Sequence, residues 1–375
     1  TCFILNFDNI NKPLTIPTLV SKNVFSYHIL FNLKNNDSII NLNNLFDKCL
    51  LRYDNNEYNT LLINSVYHNV DYSLRSWEII VGPWLRLILS VFFSKLLLIE
   101  NISISRSTKF ITKNFQLEDI VSKDTDEFIE MTYDSDWSSS LDSLILKFYN
   151  FDIVKINYPR PDKKLSAGKE KKNYLLNILH KVISYKGRKL FITGLGMNRF
   201  LQFLITTFTL NGFLRYPKIE IEKKIDHNLR KDFIFNDKDN LEEYMYNIIL
   251  GMIPPIYLEE FELMSKKSLE IYPKKAARVI TSLDHFSNET FKCWLGIRLN
   301  KDTNYVIMQH GGTYGVTKYG SQHEFIENRT ANYRFTWGWS NGYKNIIPFF
   351  SLKLLLLNFK KSKNSKKNCY HMHKT

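Results

Sequence analysis

Residues 276–315 read AARVITSLDHFSNETFKCWLGIRLNKDTNYVIMQHGGTYG, and their order decides the fold. Ala276 to Thr281 is a short β-rich run that follows the basic pair Lys274-Lys275. Ser282-Leu283-Asp284-His285 offers turn and capping groups, and Ser287 or Asn288 can cap a helix carrying Phe291, Trp294 and Leu295. Tyr305-Val306-Ile307-Met308 is then apolar without alternation, as a strand buried on both faces requires. Strand, helix and strand at this spacing make a βαβ unit of a parallel sheet. Ligands in such sheets collect beyond the carboxyl ends of the strands, where Gln309-His310-Gly311-Gly312 falls.

Upstream, Phe191-Ile192-Thr193 followed by Gly194-Leu195-Gly196 has the same form, a strand entering a tight turn. Asn198 to Phe213 is apolar enough for the buried helix that would follow. The third glycine of a GxGxxG loop is replaced by Arg199, so a plain strand-to-helix turn is the better reading. Residues 1–40 carry short apolar runs among Asn and Asp. Helical spacing begins with Leu45, Phe46, Cys49 and Leu50 and resumes at Leu61, Leu62, Ser65 and Val66. Pro83 lacks a backbone donor and disfavours helix at Gly82, which predicts a kink or a helix start there.

The 375 residues, 44% hydrophobic with 27 Phe, 21 Tyr and 6 Trp, exclude a wholly disordered, collagenous or coiled-coil chain. At about 150 residues per domain they make two or three domains. Lys+Arg 51 against Asp+Glu 37 gives a net charge of +14, which favours anionic partners: nucleotides, phosphates, nucleic acid or an acidic membrane face. Charge is segregated, with an acidic segment at residues 118–136, a basic one at 155–189, and a lysine-rich tail from Lys360 onward that is expected to be disordered. Leu85 to Ile99 is interrupted by Arg86, Ser90 and Lys95. Phe200 to Leu214 is shorter than the roughly twenty residues of a membrane span, so both read as buried helices. Peripheral attachment through basic surface stays open. The four widely spaced cysteines read as reduced thiols of a cytosolic protein. The first residue is Thr1 and not Met, which points to a fragment.

In QHGGTYG, His310 directly follows a buried strand, and Gly311 and Gly312 let backbone approach a ligand closely. An imidazole there is suited to general-base work near neutral pH. A tight turn whose histidine is satisfied by a carbonyl fits the spacing equally well. Glu324 could orient a histidine, bind acceptor hydroxyls or act as a base, although solvated charge is the commoner fate of Glu. Core packing is the favoured role of Trp337 and Trp339. The triplets Asp124-Thr125-Asp126 and Asp134-Ser135-Asp136 have the form that holds a divalent cation in one glycosyltransferase architecture. They lie among so many acids that a solvated face is the better reading. Cys369, His371 and His373 supply too few ligands for a closed zinc site, so no metal role is expected.

The blocks Trp77…Gly82-Pro83-Trp84-Leu85, Asp136-Trp137, Thr281-Ser282…Asn288-Glu289…Phe291-Lys292, Gln309-His310-Gly311-Gly312…Tyr314-Gly315, His323-Glu324 and Thr336-Trp337-Gly338-Trp339 occur in this order. Together they resemble a family of transferases found in bacterial surface-polysaccharide and O-antigen gene clusters, which is similar to GT-B glycosyltransferases. The resemblance implies an α/β, GT-B-like fold whose two Rossmann-like domains face a cleft. It also implies a nucleotide-activated sugar as donor, a surface glycan or lipid-linked saccharide as acceptor, and no bound metal or cofactor. It makes His310 the base or the stabiliser of the reacting centre, with Glu324 as the supporting catalytic residue. Gln309, Gly311, Gly312, Tyr314, Gly315, Ser282, His323 and Trp339 would bind substrate.

On this reading residues 1–150 form a mainly helical region and 151–345 a Rossmann-like acceptor-side domain. Residues 346–375 would hold the cut-short start of a C-terminal domain and a basic tail, so that the second Rossmann domain, the donor half, is largely missing. The expected location is cytoplasmic, including the inner face of the membrane as a peripheral protein. Transfer of a polyol phosphate and a non-catalytic binding module remain open alternatives. Nucleic acid is not expected as a partner, because no recognised module appears and the basic runs lack interleaved aromatics.

Overall fold

The computed structural model describes residues 3–5, 68, 70–101, 109–156, 188–196, 222–228, 230, 241–274, 276–299, 303–312, 314–315 and 322–352. In chain order the elements are β1 (Phe3–Leu5), α1 (Leu74–Ile80), α2 (Gly82–Asn101), β2 (Lys109–Lys113), α3 (Leu117–Ile120), α4 (Thr125–Thr132), α5 (Ser135–Phe148) and β3 (Asp152–Ile156). Then follow β4 (Arg188–Thr193), α6 (Leu241–Gly251), α7 (Phe261–Ile271), β5 (Ala276–Thr281), α8 (Asp284–Ser287), α9 (Glu289–Arg298), β6 (Asn304–Met308), α10 (Gln322–Thr330), β7 (Tyr333–Trp337) and β8 (Ile346–Phe349). The helices predicted around Leu45–Val66 and Asn198–Phe213, and the lysine-rich tail with Cys369, His371 and His373, lie outside the described residues.

The protein is mixed α/β, with two sheets among the described residues. In the smaller, β1 pairs antiparallel with β2, and β2 pairs parallel with β3. In the larger, β4-β5-β6-β7-β8 run in sequence order and every pairing is parallel. The βαβ unit predicted from residues 276–308 is its centre, and Tyr305 through Met308 are all buried, as their unbroken apolar run requires. Ile346–Phe349 pair with Arg334–Trp337 as the fifth strand of this sheet. Pro348 has no N–H to donate, which a last strand tolerates.

Alternation along the strands divides the sheet into two faces. Phe191, Val279, Tyr305 and Ile307 pack under Ile79, Tyr272, Phe291, Trp294 and Leu295 from α1, α9 and the end of α7. Leu190, Ile192, Ile280, Met308, Phe335 and Phe349 line the other face with Leu195 and Leu352.

The helices form a separate core around α2, where Trp84, Ile88, Leu89 and Phe92 are inaccessible to solvent. This is the stretch read as a buried helix. No described helix is by itself long and apolar enough to cross a membrane; α1 and α2 reach that measure only as a pair, bent by 69° at the predicted Gly82-Pro83 break. Two glycines permit close helix contact. A methyl group on Gly82 would lie 3.3 Å from Ile326 Cδ1, and one on Gly296 would lie 2.5 Å from Ile80 Cγ1. The acidic triplets start helices: Asp124 accepts from the Glu127 N–H at 2.7 Å to cap α4, and Asp134 accepts from the Asp136 N–H at 2.9 Å to cap α5. Cys293, the cysteine that falls among the described residues, is a buried thiol, and burial pushes its pKa up to about 12.

Candidate functional site

Because the strands of the larger sheet are parallel, their carboxyl ends share one rim. Gly194-Leu195-Gly196 follows β4, Ser282–His285 follows β5, Gln309–Gly312 follows β6 and Trp337–Trp339 follows β7. Gly194 has a φ of 55°, and a Cβ there would lie 2.6 Å from the Asp284 carboxyl carbon. The Thr193 hydroxyl donates to that same carboxylate. Ser282 is buried, and its N–H donates to the Gly194 carbonyl at 3.2 Å, which joins the two turns.

The QHGGTYG loop and the end of β7 are clamped together. The Gln309 Oε1 accepts from the Trp337 N–H and the Trp339 Nε1, each at 2.8 Å, while its amide donates to the Gly311 carbonyl at 2.6 Å. Gly315, at a φ of 69°, lies against the Trp339 indole, where a Cβ would sit 2.6 Å from the ring. Gln309, Gly315 and Trp339 therefore hold the loop in place.

His310 is half-buried at the rim. The Tyr314 hydroxyl faces the nitrogen edge of its ring, 3.2 Å from Nδ1 and 3.4 Å from Nε2. That hydroxyl donates to Glu327 Oε1 at 2.7 Å. His285 Nε2 meets the same oxygen at 3.0 Å, and Arg334 Nε lies 3.2 Å from Oε2. Burial alone would push the Glu327 pKa up. The His285 hydrogen bond and the charges of His285, Arg334 and His310 outweigh it and hold the carboxyl down to about 2.

His323 lies beside this group, its ring centroid 5.7 Å from that of His310 and 4.0 Å from that of Phe286. Burial lowers its pKa to about 4; Glu327 opposes this drop, while His310 and His285 reinforce it. Among the described residues, His285 Nδ1 and His323 Nδ1 have no hydrogen-bond partner. Both rings line a cavity of about 10 Å³, room for one water, with Arg86, Phe286 and Ile326. Gly312 is exposed, and no described residue lies within 4 Å of where its Cβ would stand.

The carboxylate assembled with His310 is thus Glu327, while Glu324, one turn earlier on α10, faces Arg334 at 3.6 Å. Sequence reasoning missed Glu327 and Arg334 and took His285 for a turn residue. The signal that could have found Glu327 is its i,i+4 spacing from His323, which puts both on one helix face. Donor atoms of His285, His310 and Glu327 all lie within 4.8 Å of one another, the one group of its kind among the described residues that could hold a metal ion. The Tyr314 hydroxyl stands between His310 and Glu327.

The Asn288-Glu289…Phe291-Lys292 block has an architectural role. Asn288 caps α9 by accepting from the Phe291 N–H at 3.1 Å. Lys292, fully buried, reaches Glu289 at 2.9 Å, the Tyr257 hydroxyl at 2.7 Å and the Thr125 hydroxyl at 3.1 Å. Trp137 is buried too, its Nε1 donating to the Ile120 carbonyl at 3.0 Å.

No curated protein and no solved structure matches the chain. A family model does, over residues 61–374, a span that takes in the bent helix pair, the QHGGTYG loop, α10 and the TWGW strand end. The chain belongs to the LIC12162 family of transferases.

Proposed function

We propose that this transferase moves a sugar from a nucleotide-activated donor to a surface-polysaccharide or lipid-linked glycan acceptor, in the manner of GT-B glycosyltransferases, with His310 as general base. The observation that carries the reading is His310 itself: a half-buried imidazole at the carboxyl end of β6, backed by Tyr314 and Glu327, beside the exposed Gly312. Sugar transfer requires the acceptor hydroxyl to lose its proton as the nucleotide leaves, and an imidazole of ordinary pKa near 6.5 is matched to that step. The reading needs no bound metal or cofactor. The net charge of +14 attracts the anionic donor and an acidic inner-membrane face, where a lipid-linked acceptor would be presented.

The test incubates the chain with a panel of nucleoside-diphosphate sugars and lipid-linked saccharides and follows nucleotide release and product mass. His310→Ala should lower turnover by about 10²- to 10⁴-fold, with an unchanged melting temperature. Near-normal turnover in that variant removes His310 from the chemistry. Release of nucleoside monophosphate from a CDP-polyol would move the assignment to polyol-phosphate transfer.

A further inference from the structure

We infer that His285, His310 and Glu327 form a binding site for one divalent transition-metal ion of the zinc kind, with its fourth ligand position at the rim. The consequence, that a filled site silences the base, rests on the reading of His310 above; the binding itself does not.

The donor set selects the ion. Two imidazoles and one carboxylate suit zinc and its neighbours, whereas calcium and magnesium require a shell made of oxygen. One ligand atom from each of the three residues lies within 4.8 Å of the others. With zinc–nitrogen bonds of about 2.0–2.1 Å, neighbouring ligands of a tetrahedral ion stand roughly 3.3 Å apart. His285 Nε2 and Glu327 Oε1, at 3.0 Å, are near that spacing. The third donor has to swing in. The Tyr314 hydroxyl stands 3.2 Å from Nδ1 and 3.4 Å from Nε2 of His310, so it favours neither nitrogen, and the torsion that turns the ring is soft.

The surroundings support two of the ligands and leave the third within reach. Glu327 and His285 are both buried, so packing fixes their positions. Arg334 Nε holds Glu327 Oε2 at 3.2 Å, while Oε1 faces His285. A metal-binding carboxylate needs such an outer partner. The Arg334 charge repels a cation, but Glu324 lies 3.6 Å from the guanidinium and offsets it. His310, half-buried, is the most accessible of the three, so the ion enters and takes a water as its fourth ligand from that side.

A nitrogen that ligates gives its lone pair to the ion, and the protons displaced on binding pass to water. The other nitrogen of a ligating imidazole carries the N–H. A bound His310 therefore has no nitrogen left to take the proton of an acceptor hydroxyl.

The test is zinc titration of the full chain, followed by calorimetry and by metal content after gel filtration. Cys369, His371 and His373 could take up zinc by themselves, so the chain carries Cys369→Ser, His371→Ala and His373→Ala. One equivalent should bind, and His285→Ala should weaken it at least about 100-fold, the upper end of what losing even an outer partner costs. Cobalt serves as a second probe that needs no further variant: its visible absorption should change on binding and be abolished by one equivalent of zinc. In the transfer assay saturating zinc should lower turnover by about 10²-fold or more, the loss of general-base catalysis, and a chelator should restore it. The His285→Ala chain, whatever its own rate, should be insensitive to the same zinc.

No uptake at about 1 mM free zinc would overturn the inference and leave the sugar-transfer reading standing. Unweakened uptake by a folded His285→Ala chain would overturn it too, as would a cobalt spectrum equal to that of the ion in buffer. One bound equivalent, lost in His285→Ala, with transfer undiminished would support the site and remove His310 from the role of base. The same binding with no donor turned over would support the site while the sugar-transfer reading falls.

Discussion

The rim group around His310 and the buried clamp around Lys292 are built from the same parts and differ in access. Each centres on a glutamate that accepts from a tyrosine hydroxyl, at 2.7 Å from Tyr314 to Glu327 and at 2.6 Å from Tyr257 to Glu289. Each carboxylate also pairs with a buried cation, Arg334 or Lys292. In the clamp every member is enclosed: Lys292 has no exposed surface, burial lowers its pKa, and the Tyr257 pKa is raised well above 10 by burial and by Glu289. At the rim one member, His310, is half-buried next to an open glycine. A sealed network ties α9 to α4 and to the turn at Pro255–Tyr257. The same chemistry at the rim leaves one imidazole within reach of solvent.

The comparison can be broken first at the clamp. Lys292→Ala leaves the Glu289 charge buried without its cation and should cost about 3–5 kcal/mol in denaturant unfolding. The turnover of the molecules that remain folded should be unchanged; a larger loss of turnover than of folded protein would make the clamp part of the chemistry. Next comes pH. His323 titrates near 4 in the folded chain against its usual 6.5, so below 6.5 the unfolded state binds more protons. Stability should therefore fall by about 3 kcal/mol as the pH drops from 6.5 to 4. Thermal melts of His323→Phe should show a flatter profile across that window, and an unchanged slope would place the titration elsewhere.

The last two tests sharpen the contrast within one loop. Gly315→Ala forces a side chain into a φ of 69° and against Trp339, and should cost about 1–3 kcal/mol by chemical denaturation. Gly312→Ala meets no described neighbour and should change stability by no more than about 0.5 kcal/mol. A larger loss at Gly312 than at Gly315 would mean that the loop is held by its tip and not by the indole.

Several features were legible because they depend on neighbours in the chain. The βαβ unit of residues 276–308 follows from runs of apolar residues, the bend at Gly82-Pro83 from a missing donor, and the Asn288 cap from one side chain and a backbone N–H three residues on. The acidic triplets show how a local pattern can be read at the wrong scale. They have the spacing of a cation site and of a solvated face, and two of their acids serve as helix caps. Glu324 shows the opposite difficulty: it sits beside His323 in sequence, yet the carboxylate that joins the histidines is Glu327.

By itself the sequence determined that a parallel α/β sheet would form and that His310 would stand at the carboxyl end of one of its strands, because hydrophobic period and turn chemistry act over a few residues. Tertiary structure alone decided what His310 works with. His285 lies 42 residues from Glu327 in the chain, and Tyr314 lies 13 residues from it. Only parallel crossovers that return each strand end to a common rim bring them within hydrogen-bond reach, and there Glu327 is buried beside Arg334.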